Sequence, residues 1–241
     1  MFEIILKRVK KSGIKVLVFV FALLISKFFK LSFVWGSESI FFSSFGFIAP
    51  VIGAFLGVPE CLSVLFAYKY LPSLFGLKIS FITMGLPTFG AMLCWRLEIG
   101  DKNFYKKIAE FYLNIFIPLL CMVLFSFNPL VGIGWFYSLY WLIPPFIYGL
   151  KLLGFVRNSI LSVALRSTFI AHAIGSVIWC YTIPMTPMKW INLIPVVVVE
   201  RLFFAFSMVL FYRFILALRR IDLRRFTLSA FRSILGFGQS E

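Results

Sequence analysis

Two ionisable residues lie deep inside apolar stretches of the sequence, where a charge is costly and usually has a function. Glu200 lies in INLIPVVVVERLFFAF, and His172, the sole histidine, lies in STFIAHAIGSVIWCYT. Counted from the turn between the two stretches, each is roughly 9 to 10 residues inside, or about 14 to 15 Å of helix rise. The two residues are therefore predicted at matching depth on neighbouring antiparallel helices.

Helices joined by a short loop usually pack together, so His172 and Glu200 are expected to meet, with Arg201 and Arg166 as further partners. Three interpretations stay open: a ligand or ion site, a proton-transfer pair, or a buried polar clamp that fixes helix register and binds nothing.

The turn WCYTIPMTPMKW between these helices adds aromatic side chains, which form either an interfacial belt or part of a binding cavity. Trp179, Tyr181 and Trp190 would supply stacking surface, and Asn192 a polar group. The predicted substrate-binding set comprises His172, Glu200, Arg201, Trp179, Tyr181, Trp190 and Asn192.

Signatures of enzymes and metal centres are scarce. A single histidine excludes multi-histidine metal sites, and the chain has no GxSxG, HExxH or clustered acidic motif. Glu98 is interpreted as a loop residue among lysines, and Glu110 as the favourable carboxylate at a helix start. We expect no catalytic residues, metal or cofactor, and no enzymatic activity.

The elements that must position these residues are membrane helices. The chain is 61% hydrophobic and only 14% charged, and its apolar runs are continuous where barrel strands would alternate. The sequence predicts an all-α, polytopic transmembrane bundle of six to eight helices, forming a single integral membrane domain over 1–241. The predicted spans lie near 14–33, 39–56, 59–75, 79–96, 108–127, 129–150, 158–181 and 190–217.

Basic residues set the expected orientation, because cytoplasmic loops are enriched in lysine and arginine. A basic N-terminus (1–13), the loop after 96, the turn at 151–157 and a basic tail (218–241) are predicted to be cytoplasmic, so both termini lie inside. Contact with membrane lipids accounts for the net charge of +15, and no nucleic-acid partner is expected.

Small residues recur at helix-packing spacing in the first span, where Ala22 and Ser26 could offer a flat face to a membrane partner. The four cysteines lie singly in or beside apolar runs, without metal-like spacing, and are interpreted as small core residues.

The stretches SFGFIAPVIGAFLGVPECLSVLFAYKYL and ISFITMGLPTFGAMLCWR resemble the substrate-binding S components of energy-coupling factor (ECF) vitamin transporters. The resemblance implies multi-pass location in the plasma membrane of a prokaryote, a vitamin or other small-molecule substrate bound near the external side, and docking through Ala22 and Ser26. It also implies a membrane coupling subunit and ATPase subunits as partners. The chain departs from the pattern in having room for an extra helix pair, and in carrying Ser26 in place of an alanine.

Three functions therefore compete. The leading hypothesis is a membrane transport protein that binds a micronutrient or metabolite. The second is an intramembrane lipid-modifying enzyme with His172 as acid or base and Glu200 as its orienting partner. The third is a non-catalytic subunit of a membrane complex.

Overall fold

The computed structural model describes residues 13, 16–26, 30–33, 41–73, 81–99, 104–156 and 159–220. The described chain is almost entirely helical, which confirms the predicted fold class at the level of helix content. Its α-helices are α1 (Val16–Ser26), α2 (Phe45–Ile52), α3 (Val58–Ser73), α4 (Leu86–Ile99), α5 (Phe104–Phe111), α6 (Ile117–Ser126), α7 (Ile143–Leu152), α8 (Ile160–Thr182) and α9 (Pro187–Arg220).

Several α-helices are extended by segments of 3-10 helix or π-helix. A π-helical turn, Phe81–Gly85, leads into α4, and another, Tyr112–Phe116, joins α5 to α6. A 3-10 helix, Gly132–Leu142, leads into α7. Gly132 has φ +48°, a left-handed conformation that glycine adopts without a steric penalty.

A short antiparallel ribbon interrupts the region of the first two predicted spans. Strand β1 (Lys30–Phe33) pairs with β2 (Phe41–Ser43), so the helices here are shorter than the predicted spans 14–33 and 39–56. The Ser44 hydroxyl donates a 2.7 Å hydrogen bond to the Ser26 carbonyl, which ties the end of α1 to the start of α2.

The centre of the fold is the antiparallel packing of α4 against α8. Glycines allow the two backbones to approach, because a Cβ atom at Gly90 would lie only 2.7 Å from Ile174 Cδ1. Further along, Gly175 faces Pro87, and the Ser167 hydroxyl donates to the Ala91 carbonyl over 3.1 Å. Helix α9 packs beside α8, and α2 lies against both α4 and α9.

Hydrogen bonds close to the loop regions occur at both ends of the helices. At one end, Lys151 near the end of α7 meets Glu98 near the end of α4. At the other, the Asn128 amide donates to the Cys180 carbonyl over 2.9 Å. The sides of the membrane on which these loops lie stay a prediction, and the basic segment 1–12 and the tail beyond 220 lie outside the described residues.

Three helices of the described chain are long and apolar enough to cross a membrane: Phe104–Ser126, Ile160–Thr182 and Pro187–Leu218. Their outer surfaces expose large apolar side chains, such as Val199 and Leu210 on α9. Contiguous apolar surface of this kind is rare on soluble monomers and indicates association with a membrane. The number of helices that cross the bilayer stays a prediction.

A buried charge network joins five helical segments at the Lys151 end of the bundle: α4, α5, the π-helical turn after it, α7 and α8. Arg166 on α8 donates to Glu98 over 2.6 Å and to the Asn114 side chain over 2.9 Å. Lys151 on α7 donates to both Glu98 oxygens, at 2.7 and 2.9 Å, and lies 3.4 Å from Glu110. The Arg166 and Glu98 side chains are only 1% and 4% exposed.

This network corrects the interpretation of Glu98 as a solvated loop residue. Glu98 lies in the last turn of α4, buried between Arg166 and Lys151. The physical reason is charge pairing, since a buried arginine needs an anion close by. Arg166, expected near His172 and Glu200, is held in this network instead.

Replacing Glu98 by glutamine removes the anion shared by Arg166 and Lys151. We expect the E98Q variant to lose about 3 to 5 kcal/mol of unfolding free energy, because Arg166 is left without its paired carboxylate and Lys151 keeps only the 3.4 Å contact with Glu110. Unfolding of the purified chain in a denaturing-detergent titration measures the loss. The control is K107Q on the exposed face of α5, which should unfold like the parent. An E98Q variant as stable as K107Q would contradict the role of the network.

Gly53 follows α2 where that helix packs on α4. A methyl group there would collide with the Met92 carbonyl oxygen, so we expect G53A to lose about 1 to 3 kcal/mol of unfolding free energy. The matched control is G149A in α7, where an added Cβ atom meets nothing within 4 Å. That change should be neutral or stabilise by about 0.4 to 1 kcal/mol, since alanine restricts the unfolded chain. Equal effects of the two changes in the same titration would refute the close approach of α2 and α4.

Candidate functional site

A cavity of about 270 Å³ opens between α8, α9, the 3-10 helix and the start of α4. His172 from α8 and Glu200 from α9 both line it, as does Arg201. The two helices therefore bring both residues to one cavity. Its lining is Thr83, Pro87, Tyr137, Ala171, His172, Gly175, Ser176, Trp179, Trp190, Leu193, Val196, Val197, Glu200 and Arg201.

A second cavity of about 320 Å³ adjoins the first on the side of α2. It adds Phe45, Gly46 and Pro50 from the region of α2, and Thr168 from α8. The residues that line both cavities are Thr83, Pro87, Ala171, Trp179, Glu200 and Arg201. Glu200 and Arg201 are thus the charged groups at the junction of the two spaces.

His172 is held by aromatic packing with little hydrogen bonding. Its ring lies 5.3 Å from the Tyr137 ring and 6.4 Å from the Phe169 ring, measured between centroids. Nδ1 lies 3.5 Å from the Ser176 hydroxyl, whereas Nε2 is buried without a hydrogen-bond partner. The imidazole therefore has a fixed position and an unused nitrogen.

Glu200 forms an ion pair with its sequence neighbour Arg201, and the two side chains are 10% and 13% exposed. Arg201 Nη1 also lies 3.4 Å from the Thr168 hydroxyl, and the guanidinium lies 5.0 Å from the Phe204 ring centre. Arg201 Nε has no partner. Glu200 is thus paired with Arg201, and the expected hydrogen bond between His172 and Glu200 is not formed among the described residues.

The aromatic residues of the predicted set divide into two groups. Trp190 lines the cavity, is 2% exposed and has an unpartnered indole Nε1. Trp179 also lines it but is partly exposed. Tyr181 lies outside the lining and donates a 2.7 Å hydrogen bond to the Leu124 carbonyl, and Asn192 is exposed outside the lining as well.

Reasoning from the sequence missed Thr83, Tyr137 and Ser176 in the cavity wall. Tyr137 belongs to the 3-10 helix, and Thr83 to the π-helical turn before α4. Hydroxyl groups within apolar spans are common, so only Tyr137, in an aromatic-rich stretch beside two glycines, carried any local signal. The approach of Tyr137 to His172 depends on helix packing, whereas Ser176 lies one turn further along α8.

The predicted docking residues of α1 differ in exposure. Ser26 is 2% exposed, and its hydroxyl donates to the Leu23 carbonyl over 2.7 Å, whereas Ala22 is half-buried. The exposed face of α1 is formed by Leu17, Val18, Phe21 and Ile25. Docking through Ser26 would therefore require α1 to move away from its own bundle.

No cluster of three or more His, Cys, Asp or Glu side chains with the proximity to hold a metal ion occurs in the part of the chain that the structure describes. The four cysteines are buried as free thiols, in agreement with their interpretation as core residues.

No known protein family, curated protein or solved structure matches the chain. Support for a function therefore comes from the site itself.

Gly175 offers a test of whether the cavity is open to water. A Cβ atom at this position would make an ordinary contact with Pro87, 3.6 Å away, so G175C should fold. We expect a water-soluble maleimide, added to both faces of isolated membranes, to alkylate G175C, because the reactive thiolate forms only where water reaches it. The native cysteines are buried and should give little background.

The control is F206C, at an apolar position 57% exposed on the outer surface of α9. Lipid surrounds this position in the proposed bundle, so its thiol should react far more slowly than that of G175C. Mass spectrometry over a time course gives both rates. Equal rates at the two positions would show that water does not enter the cavity preferentially.

Proposed function

We propose that the chain is a membrane transport protein that binds a small metabolite or micronutrient between α4, α8 and α9. The observation that supports this most directly is the cavity of about 270 Å³ into which His172, Glu200 and Arg201 converge. Ligand sites are mostly apolar cavities with a few convergent polar groups, and the wall of this one is mainly apolar and aromatic.

The arrangement of the polar groups favours a binding site over the alternative of a helix clamp. A clamp would bring His172 and Glu200 into direct contact to satisfy one another. Here they line a common space instead, and His172 Nε2 has no partner. Unpartnered polar groups at such depth are costly unless a ligand or water completes them.

The same geometry disfavours the lipid-modifying enzyme. A histidine acting as acid or base is usually oriented by a second group that hydrogen-bonds to its other nitrogen. Glu200, expected in that role, is paired with Arg201, and the nearest group to His172 Nδ1 is the Ser176 hydroxyl at 3.5 Å. This distance is at the limit of a hydrogen bond.

The proposal extends to the role of a substrate-binding component that works with separate membrane and ATPase subunits. The resemblance of the stretches around α2, α3 and α4 to ECF S components supports it. In this role the bundle would alternate between outward and inward access in a prokaryotic plasma membrane, with both termini inside.

Thermal stabilisation tests the binding proposal. A ligand that binds only the folded chain raises its melting temperature, by an amount equivalent to about 2.7 kcal/mol at a hundred times its Kd. We expect at least one compound in a broad panel of vitamins and water-soluble metabolites to stabilise the purified chain. R201Q should abolish the stabilisation by the ligand. R213Q, which replaces an exposed arginine on the same helix, should retain it. A panel without any stabilising compound would remove the main support for transport.

A further inference from the structure

Unsatisfied polar atoms are concentrated at the cavity. Seven buried side-chain nitrogen and oxygen atoms in the described chain lack a hydrogen-bond partner. Four of them belong to residues that line the first cavity: His172 Nε2, Trp190 Nε1, Glu200 Oε1 and Arg201 Nε. Buried polar groups are normally paired, so the cavity is the place in the described chain where a polar ligand would find several donors and acceptors together.

The unpartnered nitrogen atoms indicate which chemical group of a ligand would bind to them. The indole Nε1 of Trp190 and Nε of Arg201 are obligate donors, and His172 Nε2 is a donor in one tautomer or when the ring is charged. Trp190 is only 2% exposed, so its indole N–H is shielded from bulk water. Donors of this kind are best satisfied by an anionic oxygen such as a carboxylate.

Glu200 indicates a second chemical group that such a ligand would carry. Its Oε1 contacts the Arg201 guanidinium in an ion pair, and a carboxylate has further lone pairs that can accept hydrogen bonds. The carboxylate therefore has acceptor capacity for a cationic donor. Because Glu200 and Arg201 already balance in charge, a ligand with one net charge would leave that charge uncompensated in a poorly hydrated space.

We propose that the site selects a small zwitterion: a molecule with a carboxylate and a protonated amine on a flat apolar body. The carboxylate would bond to Arg201 and Trp190, and the amine to Glu200. The indole rings of Trp179 and Trp190 would contact the apolar body. This inference rests on the proposed function, since it names the substrate class of the same site.

Two series of simple compounds test charge selection directly. The first is L-phenylalanine with 2-phenylethylamine, which lacks the carboxylate, 3-phenylpropionate, which lacks the amine, and neutral 3-phenylpropanamide. The second is 4-(aminomethyl)benzoate with 4-methylbenzylamine and 4-methylbenzoate, in which the charges are further apart. Binding to the purified full chain at neutral pH is measured by thermal stabilisation.

We expect a zwitterion of at least one series to bind with a Kd at least about tenfold lower than its singly charged relatives, because each relative loses a charged hydrogen bond. Tighter binding of a singly charged or neutral relative would overturn the inference. The inference would also be overturned if every compound of the broad panel that stabilises the chain carried a single charge or none. The proposed function would then stand. If no compound of either set binds, both proposals fail.

Neutralising each of the two site charges in turn provides a second test. E200Q should shift the preference from the zwitterion toward the anionic relative, and R201Q toward the cationic one. R213Q, remote from the cavity on α9, should keep the parent order of affinities. An unchanged order in both E200Q and R201Q would overturn the assignment of the two charges, and the measurements on the parent chain test charge selection even if a variant fails to fold.

Discussion

The buried ion pair between Arg166 and Glu98 is the interaction on which the arrangement of the bundle depends. A guanidinium 1% exposed must be fully hydrogen-bonded, and it finds its partners on two other helical segments: Glu98 on α4 and Asn114 in the π-helical turn before α6. Lys151 adds α7 through the same carboxylate. Since a one-sided loss of such a pair leaves a buried charge, the network strongly disfavours other registers of α8 against α4.

The register of α8 in turn decides what the cavity contains. His172 lies six residues beyond Arg166 on the same helix, or about 9 Å of rise. At the Arg166 level the buried charges are matched, and at the His172 level several polar atoms are not. The charge network at Arg166 therefore accounts for the packing of the helices, whereas the polar groups near His172 contribute little to it.

Departures from regular helix geometry are found next to both the cavity and the network of Arg166 and Glu98. The π-helical turn Phe81–Gly85 places Thr83 in the cavity wall, and the 3-10 helix places Tyr137 there. The other π-helical turn carries Asn114, whose amide donates to the Glu110 carbonyl over 2.8 Å while its oxygen accepts from Arg166. Irregular backbone is tolerated where it is buried in protein or lines a cavity; Asn114 is buried, and Thr83 and Tyr137 line the cavity.

Composition and periodicity alone determined the helical class and the approximate bounds of the helical stretches from α3 to α9, because these follow from apolar runs. The matching depth of His172 and Glu200 in a membrane stays a prediction. Composition and periodicity could not determine which partners the charged groups take. Glu98 reads as a loop residue until α8 brings Arg166 to it. Whether Glu200 bonds to His172 depends on the rotation of α9 against α8, and the structure pairs it with its sequence neighbour Arg201 instead. Pairing of side chains far apart in sequence depends on helix rotation and packing, and only the tertiary structure decides these.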